Sequence, residues 1–143
     1  MVDGMRLVVD TNVLISALLV RAKTYELIML GNLELFVPEY SLEEIYHHKS
    51  ELRKRMGVEE HEFLLALNII LSQTTVVSRS YYQQFEPKAK DVSPDPTDFT
   101  FFALAFAMKL PIWTNETKLK NQKEVRIYNT RELLEIFGLI ETR

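Results

Sequence analysis

The stretch Met5-Arg6-Leu7-Val8-Val9-Asp10-Thr11-Asn12 (residues 5–12) decides how this chain is expected to fold. Its first five residues are mostly apolar and end in two valines, which is typical of a β-strand. The strand stops at Asp10, and apolar residues at helical spacing then predict a helix over residues 12–20. A strand followed directly by a helix is the start of a βαβ unit, so the stretch predicts a parallel sheet.

The same alternation of short and long elements continues to the end of the chain. Apolar or β-branched runs predict four further strands, at residues 34–37, 74–77, 111–114 and 125–128. Helices are predicted over residues 24–30, 41–56, 59–71, 99–109 and 130–137. This order predicts an α/β fold, a three-layer sandwich with a central, mostly parallel five-stranded sheet flanked by helices.

Length and composition suit one compact domain spanning residues 1–143. With 47% hydrophobic residues the chain can fill a core, and the absence of cysteine excludes disulfides and thiolate metal sites. The amino-terminal sequence lacks the basic and apolar regions of a signal peptide, and no apolar run is long enough to span a bilayer. We therefore expect a soluble, cytoplasmic protein without a membrane partner.

The net charge of −3 argues mildly against a nucleic-acid partner, because proteins that bind phosphates are usually basic. That objection depends on where the acidic residues lie. If about five of the 20 acids formed a metal site, about 15 would remain against 17 Lys and Arg, leaving a surface charge of about +2. The overall charge therefore excludes neither class of partner.

Acidic residues fall near predicted element boundaries: Asp10, the Glu43-Glu44 pair, Asp95 with Asp98, and Glu116. Ligands of open α/β sheets collect beyond the carboxyl ends of the strands, where Asp10 and Glu116 are expected. Converging carboxylates repel one another, and a hard divalent cation relieves that repulsion. Oxygen-only ligands favour Mg²⁺ or Mn²⁺ over zinc.

Each of these acids also has a structural interpretation. Asp10 can cap the helix that follows it, and Asp95 can be the N-cap of a helix with Pro96 at its first position. Ser41 with Glu44 matches a capping box. Asp98, in the first turn of its predicted helix, is favoured by the helix dipole whatever its role.

Four segments together resemble the PIN-domain family of nucleases, which includes the VapC-like toxins of many prokaryotic toxin–antitoxin pairs. They are Leu7-Val8-Val9-Asp10-Thr11-Asn12-Val13-Leu14-Ile15-Ser16, then Glu44-Ile45, then Asp95-Pro96-Thr97-Asp98 leading into Ala103-Leu104-Ala105, and Ile112-Trp113-Thr114-Asn115-Glu116. The resemblance covers nearly the whole chain. The first segment is quite specific, the second is weak, and the third is specific in combination with the first.

The resemblance implies an endoribonuclease that uses Mg²⁺ or Mn²⁺ and metal-activated water. It assigns catalysis to Asp10, Glu44 and Asp98, and metal binding to Asp10, Asp98, Asp95 and Glu116. Supporting polar residues are Thr11, Asn12, Thr114 and Asn115. The sequence departs from the family at Glu116, where the family usually has Asp, and at Lys118, where many members have a further acid. Only the resemblance favours Glu44 over Glu43 as the ligand.

Other residues predict how RNA and protein partners would bind. Lys118, Lys120 and Lys123 follow Glu116 and could contact RNA phosphates, whereas Lys49, Arg53, Lys54 and Arg55 are more typical of a solvated helix face. The resemblance also implies a homodimer and an antitoxin protein as partner. Alternatives are a PIN-like RNA- or protein-binding module with weak or lost catalysis, and an RNA-processing nuclease without an antitoxin. A phosphoryl transferase with Asp10 as nucleophile is disfavoured, because enzymes of the haloacid dehalogenase type commonly have Asp where this chain has Asn12.

Overall fold

A five-stranded sheet forms the centre of the computed structural model, which describes residues 4–20 and 22–141. The strand order is β3-β2-β1-β4-β5, and all four neighbouring pairs are parallel. The strands are β1 (Met5–Val9), β2 (Leu33–Pro38), β3 (Thr74–Val77), β4 (Ile112–Trp113) and β5 (Ile127–Tyr128). The five predicted strands are therefore confirmed, and the sheet is wholly parallel.

Helices connect the strands and cover both faces of the sheet. They are α1 (Thr11–Leu19), α2 (Lys23–Met29), α3 (Glu39–His47), α4 (Lys49–Met56), α5 (Glu60–Leu71), α6 (Arg79–Tyr82), α7 (Glu86–Val92), α8 (Phe99–Met108) and α9 (Thr130–Ile136). Short 3₁₀ turns occupy Gln83–Phe85, Pro96–Asp98 and Thr117–Lys120. The predicted three-layer α/β sandwich is confirmed.

Alternation along β1 divides the core between the two faces of the sheet. Leu7 and Val9 point into a cluster formed with α1 to α5 and α9, whereas Val8 points into a second cluster formed with α6, α7 and α8. Side chains alternate in this way because successive residues of a strand face opposite sides. Helix α8 is buried over most of its length, as its almost wholly apolar sequence predicts.

The prediction of one helix over residues 41–56 is wrong, because the segment forms two helices that meet at His48. The capping box at Ser41 is also wrong. Helix α3 begins two residues earlier, so Ser41 and Glu44 both lie inside it. Ser41 is instead completely buried and accepts a hydrogen bond from the Thr11 hydroxyl at 2.8 Å.

Residues 78–92 form α6, a 3₁₀ turn and α7, a segment for which the sequence analysis assigned no element. In the described residues, no helix has both the length and the apolar character needed to cross a membrane.

Candidate active site

The order of the strands predicts a ligand crevice at the carboxyl ends of β1 and β4. From β1 the chain builds outward to β2 and β3 on one side, and it then returns to add β4 and β5 on the other. Beyond the carboxyl ends of strands at such a reversal, helices diverge and leave room for a ligand. Asp10 directly follows β1 and Thr114 directly follows β4, so both residues lie at this crevice.

Asp10 is the most constrained acid of the crevice. Only 3% of the residue is exposed, and its two carboxylate oxygens have separate partners. Oδ1 accepts the backbone N–H of Asn12 at 3.1 Å, which makes Asp10 the N-cap of α1, and Oδ2 accepts the Thr114 hydroxyl at 2.7 Å. Burial raises the pKa of Asp10, while the hydroxyl of Thr114 opposes that effect. Capping of α1 by one oxygen therefore does not exclude a role for Asp10 in the crevice.

Asp98 is the N-cap residue of α8, yet its carboxylate makes no capping hydrogen bond. Burial, together with the negative charges of Asp10, Asp95, Glu116 and Glu44, raises the pKa of Asp98 to about 6. The other four predicted acids are thus close enough to Asp98 for their charges to act on it. This convergence is the main feature of the crevice.

Glu43 and Glu44 point to different surroundings, although they are adjacent in α3. Glu44 hydrogen bonds with the Tyr40 hydroxyl, and its charge acts on Asp98. Glu43 lines a separate cavity beside Arg79 and Tyr82. Geometry therefore associates Glu44, rather than Glu43, with the acidic cluster, while the catalytic assignment itself stays a prediction.

Asp95 and Glu116 lie at the outer part of the cluster. Asp95 caps the turn Pro96–Asp98 by accepting the backbone N–H of Thr97 at 2.9 Å, and these bonds lower its pKa. Lys118 forms an ion pair with Asp95 at 3.5 Å. The backbone N–H of Glu116 donates to the Thr114 hydroxyl at 3.0 Å, while its carboxylate adds negative charge near Asp10 and Asp98.

The four predicted supporting residues have different roles in the structure. Thr114 bonds Asp10 directly, and the backbone of Asn12 does the same. Thr11 instead faces Ser41, joining α1 to α3. Asn115 accepts the backbone N–H of Thr130 at 2.8 Å and donates to its hydroxyl at 2.9 Å, so its amide anchors α9.

The three lysines predicted to contact RNA differ in whether they form ion pairs within the chain. Lys118 is paired with Asp95, and Lys120 is paired with Glu132 at 2.7 Å. Lys123 is exposed and makes no ion pair with the described part of the chain. On α4, Lys49 is paired with Glu60 and Arg53 lies 3.9 Å from Glu59.

The donor chemistry of the cluster fits a hard divalent cation. All its titratable groups are carboxylates, which are preferred ligands of Mg²⁺ and Mn²⁺, and their mutual repulsion is the kind that a cation relieves. Within residues 4–20 and 22–141, however, no three such side chains already surround one point as metal ligands do. The match between the acidic cluster and a divalent cation thus rests on the charge and the oxygen donors of its side chains.

The sequence patterns gave Tyr40 no role at this edge of the sheet, and they gave Ser41 only the role of a helix cap. Both lie in the first turn of α3, whose start at Glu39 follows Pro38 and was predicted too late. A larger cavity of about 720 Å³ lies at the opposite edge of the sheet, where Glu34 is paired with Arg6 at 3.3 Å. That cavity has no acidic cluster, so the chemistry points to the crevice instead.

Comparison with known proteins agrees with the fold. The sequence model of the PIN-domain family matches residues 8–135. The structure is similar to a chain in the crystal structure of VapBC2 from Rickettsia felis bound to a DNA fragment from their promoter, with a TM-score of 0.65. The two sequences are 20% identical over 87% of this chain and 98% of that chain, a likeness that concerns the fold. Among curated proteins, no significant match was found.

Proposed function

The chain belongs to the PIN-domain family, whose members are generally nucleases, and from this premise we propose that it is a metal-dependent endoribonuclease. One observation carries the proposal: the charges of Asp10, Glu44, Asp95 and Glu116 all act on Asp98 at the carboxyl edge of the sheet. Carboxylates that lie close together without enough cations repel one another, which lowers the stability of the fold. Such clusters are therefore typical of sites where a bound ligand offsets the repulsion. The ligand we propose is Mg²⁺ or Mn²⁺.

The mechanism assigns separate tasks to the residues of the crevice. Thr114 and the backbone of Asn12 hold the Asp10 carboxylate in one orientation, so its oxygens are positioned before any ligand arrives. Asp98 and Glu44 supply carboxylates whose hydrogen bonds are not used by a helix cap. A bound divalent cation would provide a hydroxide from water at neutral pH and offset the charge of the scissile phosphate. Lys118, Lys120 and Lys123 would guide the RNA backbone.

Substitution of Asp10 tests this proposal. Asp10→Asn keeps the shape of the side chain but removes its charge, so we expect Mg²⁺-dependent cleavage of single-stranded RNA to fall by at least about 100-fold. Asp91→Asn is the matched control, because Asp91 is an exposed acid of α7 outside the cluster. Cleavage rates with Mg²⁺, with Mn²⁺ and with a chelator measure the effect. Full activity of Asp10→Asn would refute the assignment.

A toxin role in a toxin–antitoxin pair is the physiological part of the proposal. The fold likeness to a chain of the VapBC2 complex supports it. A small protein encoded beside this gene that co-purifies with the chain and suppresses its cleavage of RNA would agree, whereas an isolated gene would favour RNA processing. The homodimer stays a prediction that light scattering of the purified chain would test.

Loss of catalysis is the second candidate, and Glu116 is the observation that favours it. Glutamate is one methylene longer than the aspartate usual in the family, and it lies where its charge acts on both Asp10 and Asp98. A binding module without turnover is expected to bind Mn²⁺ poorly. Calorimetric titration of the chain with Mn²⁺ therefore separates the two functions.

A further inference from the structure

A cavity of about 440 Å³ adjoins the acidic cluster on the side of α3 and α8. Tyr40 forms part of its wall and also hydrogen bonds with Glu44, so the cavity and the cluster share a boundary. Thr97 and Phe99, which flank Asp98 in the chain, line it as well. Its volume lies within the range of roughly 300–1,000 Å³ that small-molecule sites occupy.

Tyr82 is the unusual residue of this cavity. The residue is 1% exposed, it lines the cavity, and its hydroxyl makes no hydrogen bond with any residue that the structure describes. The hydroxyl oxygen is not one of the described buried polar atoms that lack a partner, so it keeps contact with the open space of the cavity. Burial also raises the pKa of Tyr82 to about 12, so the group is a hydrogen-bond donor at neutral pH. The cavity therefore presents a hydroxyl donor that no described residue of the chain already uses.

The acids of the cavity wall are not equivalent. Glu39 accepts the backbone N–H of Arg79 at 2.7 Å, and Glu86 forms an ion pair with the Arg79 guanidinium at 2.7 Å. Glu43 makes no hydrogen bond or ion pair with the described residues, so its two oxygens are unused acceptors. Because Arg79, the cation of the wall, is already paired, the cavity is poorly suited to an anionic ligand such as phosphate.

A planar, uncharged ligand with donors beside an acceptor matches this arrangement. Tyr40 and Phe99 line the cavity, and bases stack on aromatic rings of this kind, although the Lys90 amine already lies over the Phe99 ring, 4.9 Å from its centre. Guanine presents two adjacent N–H donors for one carboxylate and the O6 acceptor for a hydroxyl. Adenine and cytosine each present one amino donor beside a ring-nitrogen acceptor, and uracil presents one N–H donor between two carbonyl acceptors, so none of them offers two adjacent donor groups to a carboxylate. Guanine is thus the RNA base whose edge complements Glu43 and Tyr82 together.

We propose that this cavity, formed in part by Tyr40, Glu43, Tyr82 and Phe99, binds a guanine base of the substrate next to the phosphate that is cleaved. The inference rests on the proposed ribonuclease function and adds base specificity to it. Glu43 accepts from the two N–H groups of the base, and the Tyr82 hydroxyl donates to O6. The two adjacent glutamates of α3 then have separate tasks, with Glu44 in the acidic cluster and Glu43 in base recognition.

Binding of short RNAs in the presence of a chelator tests the inference without requiring cleavage. The probes are fluorescent oligouridines that carry a single central guanosine, adenosine or cytidine, and anisotropy gives their affinities. We expect the full chain to bind the guanosine probe about 10-fold more tightly than the adenosine probe. Glu43→Gln should reduce this preference to less than about 3-fold, since an amide cannot accept from both donors. Tyr82→Phe should reduce it as well.

The control is Glu51→Gln, an exposed acid of α4 outside the cavity, which should keep the preference of the unaltered chain. Circular dichroism and thermal melting show whether Tyr82→Phe is folded. If Tyr82→Phe fails to fold, Glu43→Gln still tests the inference, because Glu43 is exposed. Equal affinity for the probes, or an unchanged preference in Glu43→Gln, overturns the cavity assignment. Loss of cleavage in Asp10→Asn together with such a result would leave the nuclease proposal standing. If the chain never cleaves RNA but shows a guanosine preference that depends on Glu43, the cavity assignment stands and the nuclease proposal fails.

Discussion

Asp10 shows how one carboxylate can serve both the fold and the candidate site. Its Oδ1 atom caps α1, while its Oδ2 atom accepts from Thr114 on the neighbouring strand. A carboxylate that is 3% exposed needs such partners, since burying a charge without them is costly. The two interpretations open at the sequence level, helix cap and site residue, were therefore not alternatives.

The raised pKa of Asp98 predicts a pH-dependent stability of the metal-free chain. Because the folded-state pKa of about 6 lies above the unfolded value of 3.8, the stability linked to the bound proton is full below pH 3.8 and is lost as the pH rises through about 6. In a chelator, Asp98→Asn should therefore stabilise the chain relative to the unaltered protein at pH 7, and this advantage should shrink towards pH 4.

Urea unfolding at several pH values between 4 and 7.5 measures this difference. Asp91→Asn, which removes an exposed acid of α7, should show no such trend. A stability difference between Asp98→Asn and the unaltered chain that stays constant with pH would contradict the assigned pKa. Solvent screens the partly exposed Asp98, so the direction of the trend is the decisive result.

At the scale of elements, the contact between α1 and α3 positions the two sides of the crevice. Thr11 is the first residue of α1 and follows Asp10 directly, while Ser41 is in α3 three residues before Glu44. Their hydroxyls form a buried hydrogen bond of 2.8 Å. This single bond links the helix that Asp10 caps to the helix that carries Glu44.

Removal of this bond should destabilise the chain. Ser41→Ala leaves the Thr11 hydroxyl buried without its acceptor and should lower the free energy of unfolding by about 1–3 kcal/mol. Thr11→Val should have a similar effect, and the double variant should cost less than the sum of the two because both ends of the bond are then gone. Urea unfolding of the four proteins completes the cycle. Ser50→Ala, at an exposed position of α4, is the control, and additive effects in the cycle would argue against coupling.

Sequence patterns predicted elements well where local signals agree with packing. All five strands and the buried α8 follow from apolar runs, and Gly57 ends α4 in a left-handed conformation with φ 69°, as a glycine at that place predicts. The break at His48 has no such signal. No proline or glycine lies between Ser41 and Met56, and α3 and α4 separate where both must contact α1. Tertiary packing, which a local pattern does not encode, sets that boundary.

Residues 78–92 contain sequence signals that are typical of helices. Ser78 caps α6, Pro87 lies in the first turn of α7, and Tyr82, Phe85, Ala89 and Val92 are spaced at helical intervals. The candidate site was more predictable than this segment. Asp10 and Glu116 follow predicted strands, and Asp95 and Asp98 precede a predicted helix. Tyr40 and Tyr82 could not be assigned to a cavity because their proximity arises from packing between α3, α6 and α8.

For the whole molecule, the central question is whether the two core clusters unfold together. Phe63 of α5 belongs to the cluster on one face of the sheet and Phe102 of α8 to the cluster on the other, and both are fully buried. They share the strands of one sheet, so the expectation of a single domain implies one cooperative transition. Phe63→Ala and Phe102→Ala should each lower the free energy of unfolding by about 3–5 kcal/mol.

Calorimetry tests this expectation. Both variants should melt in one transition whose calorimetric and van't Hoff enthalpies agree. Tyr81→Ala, a change at a residue that is 54% exposed, should alter stability by no more than about 0.5 kcal/mol. Two transitions, with only one of them shifted in each variant, would show that the faces of the sheet are separate folding units.

The hydrogen bond between Asp10 and Thr114 joins residues 104 positions apart in the chain. This separation determines how late during synthesis the bond can form. At about 5–20 residues per second, a ribosome needs roughly 5–20 s to add the residues between them. Throughout that interval Asp10 has neither the hydroxyl of Thr114 nor the neighbouring strand β4. A nascent chain therefore cannot assemble the crevice until most of its length has emerged, so the proposed cleavage of RNA would begin only when synthesis is nearly complete.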